Sequence, residues 1–407
     1  MLSVEDAQAR ILAHVSVCPV EKIGLHALGG RVSAVSLKSR WPLPGWDNSA
    51  MDGYALRADD LTEIPMRLPV SDQVAAGDGE RRPLVPHSAA RIFTGALLPP
   101  GADTVVVQED TVREGDSVMI QCMPRTGQHI RRAGSDIGQN QTILSQGQRV
   151  RPGDISLLAS QGYVDAEVFS RPSVTVLTTG NELRAPGPEA PRPGEIIDGN
   201  TIALVNAIRG AGAVGVAGAS IPDQADATEQ AFRTCPPGFV ISTGGASVGD
   251  HDHVATALQR ICGDGFEFWK IAVKPGKPVV FGRTSSHLYF GLPGNPVSAL
   301  VSFELFVRPA LLAAQGCLNP LPPTVSACLE HTVPSGGRRR EYRRGILRNI
   351  DGVFHVRVFD VQSSGALSSI AGANALVLIP KDAPVGHAGD TVSVLPLGGT
   401  ESFGDVF

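Results

Sequence analysis

The chain has 407 residues, 42% of them hydrophobic and 18% charged, with a formal net charge of −5. That length supports several domains with buried cores. The mildly acidic balance argues against a general nucleic-acid binder, whose footprint is basic.

The N-terminus, MLSVEDAQARIL, lacks the basic segment and long apolar run of a secretory signal. No stretch approaches the ~20 apolar residues that span a bilayer. A cytoplasmic chain with no membrane partner is therefore expected. Cys18, Cys122, Cys235, Cys262, Cys317 and Cys328 form no CxxC pair, so they read as free thiols of a reducing compartment.

Val4, Ala7, Ile11 and Val15 fall on one face after a capping Ser3, which predicts an amphipathic helix over 3–15. From Trp41 to Gln141 the chain is rich in Pro, Gly and short apolar runs such as TVVVQ (104–108), and a small β-rich domain is expected. A short helix over 153–161 then leads back toward the first region.

From about 171 to 320, strands alternate with helices. Ser173 to Leu177, Phe239 to Ser242 and His287 to Leu292 are buried-strand candidates. Helices are predicted from Asn200, as cap, to Ile208, from Asp252 to Ile261, and from Asn295, as cap, to about Ala314. The alternation implies a doubly wound parallel sheet, whose ligands sit at the carboxyl ends of its strands. After Pro320 the pattern is all β, which suggests a small C-terminal barrel or sandwich over 321–407.

Several loops carry candidate chemistry. TGGASVG (243–249) follows a strand and precedes a helix. Its glycines suit either a phosphate cradle or a tight strand-to-helix turn. Asp250 and Asp252 follow, and a carboxylate beside a phosphate can hold Mg²⁺. Lys270, Lys274 and Lys277 lie in WKIAVKPGKP. On an extended segment Lys270 and Lys274 point to one side, so the group suits an oxyanion or forms a solvated edge. Pro293, Gly294 and Asn295 in PGNP open a helix, as an anion site or a plain cap. DNSAMDGYA (47–55), IFTG (92–95), RRAGSDI (131–137) and TTGNEL (178–183) read individually as structured turns. RRREYRR (338–344) reads as a solvated basic β face.

Taken in order, DNSAMDGYA, IFTGALLPPGAD, RRAGSDI, TTGNEL, TGGASVGD, KPGKP and GLPGNPVSAL resemble the molybdopterin molybdenumtransferase family, to which the E domain of gephyrin belongs. The resemblance implies an α/β multidomain protomer. A discontinuous N-terminal domain would span 1–40 and 142–170, a small β-rich domain 41–141, and a doubly wound molybdopterin-binding domain 171–320. A barrel-like C-terminal domain would span 321–407. It implies insertion of molybdate into adenylylated molybdopterin, with AMP released and Mg²⁺ as cofactor. A homodimer is implied, the partner's small β-domain completing the site, with transient contacts to a molybdopterin adenylyltransferase and to acceptor molybdoenzymes.

By position in the motifs, the resemblance gives catalytic roles to Asp52, Thr94, Asp136, Glu182, Asp252, Lys270 and Lys274. Asp223 and Asp252 become metal ligands. Gly244, Gly245, Ser247, Gly249, Lys277, Pro293, Gly294, Asn295, Ser363 and Ser364 become substrate-binding residues. Asn181, Ala246, Ser135 and Gly199 depart from the family's usual residues. A molybdopterin adenylyltransferase, which shares the glycine loop, and a non-catalytic molybdopterin-binding scaffold are the alternatives.

Overall fold

A computed structural model describes residues 1–79, 82–245 and 253–398. Its largest unit is a six-stranded sheet with strands in the order Val214–Ile221, Ser173–Thr179, Gly238–Thr243, His287–Leu292, Pro278–Arg283 and Phe266–Lys270. The first four are parallel and the last two antiparallel additions.

Side chains alternate across these strands, as a two-residue period requires. Val174, Val176, Phe239, Ile241 and Phe290 face one core, and Leu177, Val240, Val280 and Tyr289 the other. Helices cover both faces. Ala225–Arg233 and His253–Cys262 lie on the second face. Asn200–Gly210 and the run Pro296–Ala314 lie on the first.

The N-terminal helix, Val4–Leu12, also lies on the first face. Ser3 caps it, its hydroxyl accepting from the Asp6 N–H at 3.0 Å. Val4, Ala7 and Ile11 enter the α/β core, so this helix packs with the α/β domain. Residues 20–40 join 142–170 instead: Val20–Gly24 pairs with Asp165–Phe169, and Leu37–Lys38 with Thr142–Leu144. Leu28, Leu144, Val150, Leu158 and Val168 form the core between them.

Contrary to the sequence expectation, one helical run among the described residues is long and apolar enough to cross a membrane. Pro296–Ala314 spans 19 residues with mean hydropathy 1.6, and 72% of that window is buried inside the fold. A mostly apolar helix suits a large core as well as a membrane, and here most of it is covered by the fold. Its middle turn, Phe303–Val307, is π-helical.

The small β-rich domain is a six-stranded sheet in the order Thr104–Val107, Gly53–Leu56, Ala89–Ile92, Met66–Val74, Ser117–Ile120 and Thr111–Glu114. In the C-terminal region, Arg340–Ile350 pairs with both Val353–Val358 and Ala375–Ile379. Val325–Leu329 and Thr391–Pro396 complete the ring, so the sheet closes into a barrel. Leu329, Leu347, Val356, Val377 and Val394 fill its interior, while Tyr342, Leu376 and Leu395 join the α/β core.

The run RRREYRR is not a solvated face. Arg340 pairs with Glu5 of the N-terminal helix, and Arg339 Nη1 donates to the Val273 carbonyl at 2.9 Å. Arg344, 1% exposed, donates to Ser369 Oγ and the Ser363 carbonyl. The basic run is a clamp between the barrel and the α/β domain.

Candidate functional site

Parallel register sets the loops side by side. Thr178 pairs with Thr243, Thr179 with Ile221, and Thr243 with Leu292. The segments that follow, 180–183, 222–224, 244–245 and 293–295, therefore leave the sheet together at its carboxyl edge, where such sheets bind ligands. They pack closely. Gly244 has φ +89°, and a Cβ there would meet the Thr179 carbonyl at 2.6 Å. A Cβ on Gly294 would lie 3.4 Å from the Gly244 Cα.

Glu182 and Asp223 are both exposed at this edge. Asn181 N–H donates to Asp223 Oδ2 at 3.2 Å, and Asp223 N–H donates to Asn181 Oδ1 at 3.2 Å. Ser247, Gly249 and Asp252 lie outside the described residues.

Two expected caps act differently. The side chain of Asn200 donates to the Gly294 carbonyl at 2.8 Å and so ties two loops together. Asp198 satisfies the helix start instead, accepting from Thr201 N–H at 3.1 Å and Thr201 Oγ1 at 2.6 Å. Asn295 makes no side-chain cap; its Nδ2 donates to Ser364 Oγ at 3.1 Å. The Ser364 carbonyl accepts from Val297 N–H at 3.3 Å, so the barrel fills part of the helix terminus that PGNP opens. Asp198 also lines a cavity of about 200 Å³ beside this edge, with Thr178, Arg184, Thr201 and Ser220.

The three lysines share one hairpin. Lys270 ends a strand opposite Pro278, and Ile271 N–H donates to the Lys277 carbonyl at 2.8 Å. The segment is not continuously extended. It bends at Ala272, and Val273–Lys274 pairs instead with Arg340 and Glu341 of the barrel. The alternation argument for Lys270 and Lys274 therefore does not apply, because the hairpin tip rather than strand periodicity groups them. Gly276 has φ +99°, and a Cβ there would meet Ser302 Oγ at 2.7 Å, which seats the tip on the core helix.

A second cluster forms in the small β-rich domain. Strand Asn48–Ser49 pairs with Ile130–Arg131, and Gly95 N–H donates to the Ser49 carbonyl at 2.8 Å. DNSAMD, IFTG and RRAGSD thereby become one surface. Asp47 accepts from Arg132 Nη1 at 2.6 Å and Ala133 N–H at 2.8 Å. Asp52 Oδ1 accepts from Thr94 Oγ1 and Thr94 N–H, each at 2.7 Å. The hydroxyl bond first, and the amide bond second, hold the Asp52 carboxyl below its ordinary value. Asp136 is exposed in the same cluster, its N–H bonded to the Leu43 carbonyl. The contacts of Asp52, Thr94 and Asp136 described here stay within this domain.

Sequence reasoning passed over Asp198 and Glu341. Asp198 carries a faint signal, an acid just before a helix start. Glu341 is the lone acid in a basic run.

Family models match along nearly the whole chain. Residues 2–162 match the MoeA N-terminal region (domain I and II), 175–313 a probable molybdopterin binding domain, and 326–397 the MoeA C-terminal region (domain IV). A Mycobacterium tuberculosis protein named molybdopterin molybdenumtransferase 2 is 37% identical over 98% of this chain and all of its own length. A Haemophilus influenzae molybdopterin molybdenumtransferase is 32% identical over 97% of the chain and 98% of its own length. The crystal structure of a molybdopterin biosynthesis moeA protein from Pyrococcus horikoshii OT3 superposes with TM-score 0.82 at 28% identity, covering 97% of this chain and all of that one.

Proposed function

The chain belongs to the molybdopterin molybdenumtransferase family, and we propose that it inserts molybdate into adenylylated molybdopterin, forming molybdenum cofactor and releasing AMP. The observation that carries this reading is the shared carboxyl edge. There a glycine turn and two exposed carboxylates lie on adjoining loops, and a hairpin of three lysines joins the last two strands farther along the same edge of the sheet. A molybdopterin adenylyltransferase would need the glycine loop, but full-length relatives named molybdenumtransferase match all four regions of this chain.

The roles follow from charge and geometry. Gly244 and Gly245 bring backbone close to the phosphate without a side chain between them. Lys270, Lys274 and Lys277 attract molybdate, a dianion, and hold it near the dithiolene sulfurs. Asn295, with Ser364 behind it, orients the substrate at the helix start. Glu182 orders water and ligand around the oxyanion.

Mg²⁺ fits this donor set. Among the described residues no group of three His, Cys, Asp or Glu is preassembled for a metal. Mg²⁺ commonly takes one or two carboxylates and completes its shell with substrate phosphate and water. Asp223 offers such a carboxylate, and Asp252, after the glycine loop, would be its companion. When bound, the ion offsets charge on the phosphoanhydride as it breaks.

A homodimer is the assembly that the family resemblance implies. Asp52, half-buried, and the exposed Thr94 and Asp136 form a polar surface on the small domain, which a second copy would bring to the α/β edge. A cytoplasmic location accords with the six free cysteines. Transient contacts with an adenylyltransferase and with acceptor molybdoenzymes would deliver the substrate and collect the product.

The test is AMP release from the purified chain given adenylylated molybdopterin and Mg²⁺, with and without molybdate. The product is then used to activate a cofactor-free molybdoenzyme. Molybdate-dependent release with activation is expected. Tight binding without release would mark a scaffold.

A further inference from the structure

Glu341 sits among the five arginines of RRREYRR, near the start of the barrel strand Arg340–Ile350, yet its side chain is only 8% exposed. Its Oε2 accepts from Arg343 Nε at 2.9 Å, and its Oε1 accepts from Lys274 Nζ at 3.2 Å. Arg343 is itself anchored, donating to the carbonyls of Pro334 at 2.8 Å and Ser335 at 3.0 Å. Backbone pairing of Lys274 with Glu341 keeps the lysine alongside. A continuous line of contacts thus runs from the barrel backbone to the exposed Lys274.

We propose that Glu341, held by Arg343, is a positioning residue for Lys274, fixing its ammonium so that the remaining N–H donors face the oxyanion substrate. The inference rests on the reading of Lys274 as a molybdate ligand. An ammonium has three donors, and Glu341 takes one. A free lysine spreads over many rotamers, and losing them on binding opposes affinity. Lys274, 52% exposed, has that freedom cut by a partner that is itself immobile.

Charge is kept as well. Arg343 offsets the carboxylate, so the three groups together remain cationic toward a dianion. Burial acts to raise the Glu341 carboxyl, but Arg343 and then Lys274 outweigh it and hold it ionised below its ordinary value.

The experiment measures molybdate-dependent AMP release by the full chain and by Glu341→Gln, Lys274→Met and the double variant. Glu341→Gln is expected to raise the molybdate KM about fivefold, the upper scale of an ion pair with one half-exposed partner. Its kcat at saturating molybdate and its KM for the adenylylated pterin should stay unchanged. Lys274→Met should raise the molybdate KM at least as much, and the double variant no further. A folded Glu341→Gln with unchanged molybdate KM overturns the proposal, as does an effect that persists in full beside Lys274→Met. An unchanged molybdate KM in Lys274→Met alone would instead remove the molybdate role of Lys274, and the proposal with it. If Glu341→Gln does not fold, Glu341→Asp keeps the charge but shortens the reach. It is then expected to raise the same KM, and an unchanged KM overturns the proposal.

Discussion

Asn181 and Asp223 hold each other across two neighbouring strand ends, each backbone N–H donating to the other's side chain at 3.2 Å. The pair orients Asp223 with one oxygen engaged, much as an outer partner orients a metal ligand. Asn181→Ala keeps its own N–H bond to the carboxylate but removes the side-chain acceptor that anchors the Asp223 backbone, and is expected to raise the Mg²⁺ concentration needed for half-maximal AMP release by about tenfold. Because both residues are exposed, the urea midpoint should not move. An unchanged Mg²⁺ requirement would deny Asn181 this role.

Thr94 controls the titration of Asp52. The hydroxyl bond is the leading cause of the lowered carboxyl, so Thr94→Val should move its midpoint up toward 3.8. The sign follows from linkage. A depressed carboxyl contributes stability above its unfolded value and loses it as pH falls through the folded one. In the variant the contribution is smaller, and its loss, which begins near 3.8 in both proteins, is complete at a higher pH. Side-chain carboxyl NMR of Asp52 against pH is the measurement, and an unmoved midpoint contradicts the assignment.

Gly276 is required by geometry. Alanine there meets both a left-handed φ of +99° and Ser302 Oγ at 2.7 Å. The backbone term alone is about 1–2 kcal/mol. Gly276→Ala should displace the lysine hairpin and raise the molybdate KM more than it affects binding of the adenylylated pterin. Equal loss of both would show that the tip does not act separately from the phosphate loop.

Ile11 tests where the N-terminal helix belongs. It is 1% exposed within the α/β core. Ile11→Ala should cost about 2–5 kcal/mol, read as a lowered urea midpoint for unfolding of the α/β domain. A change confined to the region of 20–40 and 142–169 would place the helix elsewhere.

The repeating patterns along the chain determined a good deal. Alternating apolar strands and capped helices identify the doubly wound sheet, because a side chain's direction depends on its neighbours' backbone geometry alone. His287–Leu292 and the Ser3-capped helix are legible for that reason. Loop composition likewise marks TTGNEL, TGG and PGNP as segments at strand ends.

Tertiary structure decided what the same residues touch. Asn200 and Asn295 read as caps, since Asn suits that position, but distant partners at Gly294 and Ser364 take their side chains. The basic run looked solvated because its charge is local information, whereas its partners, Glu5, Val273 and Lys274 through Glu341, lie 66 or more residues away. The apolar run Pro296–Ala314 suits a membrane or a core by composition, and only its packing against the sheet and barrel distinguishes the two. Spacing in sequence records local geometry. Long-range pairing, set by register and core packing, turns separate turns and charges into a site.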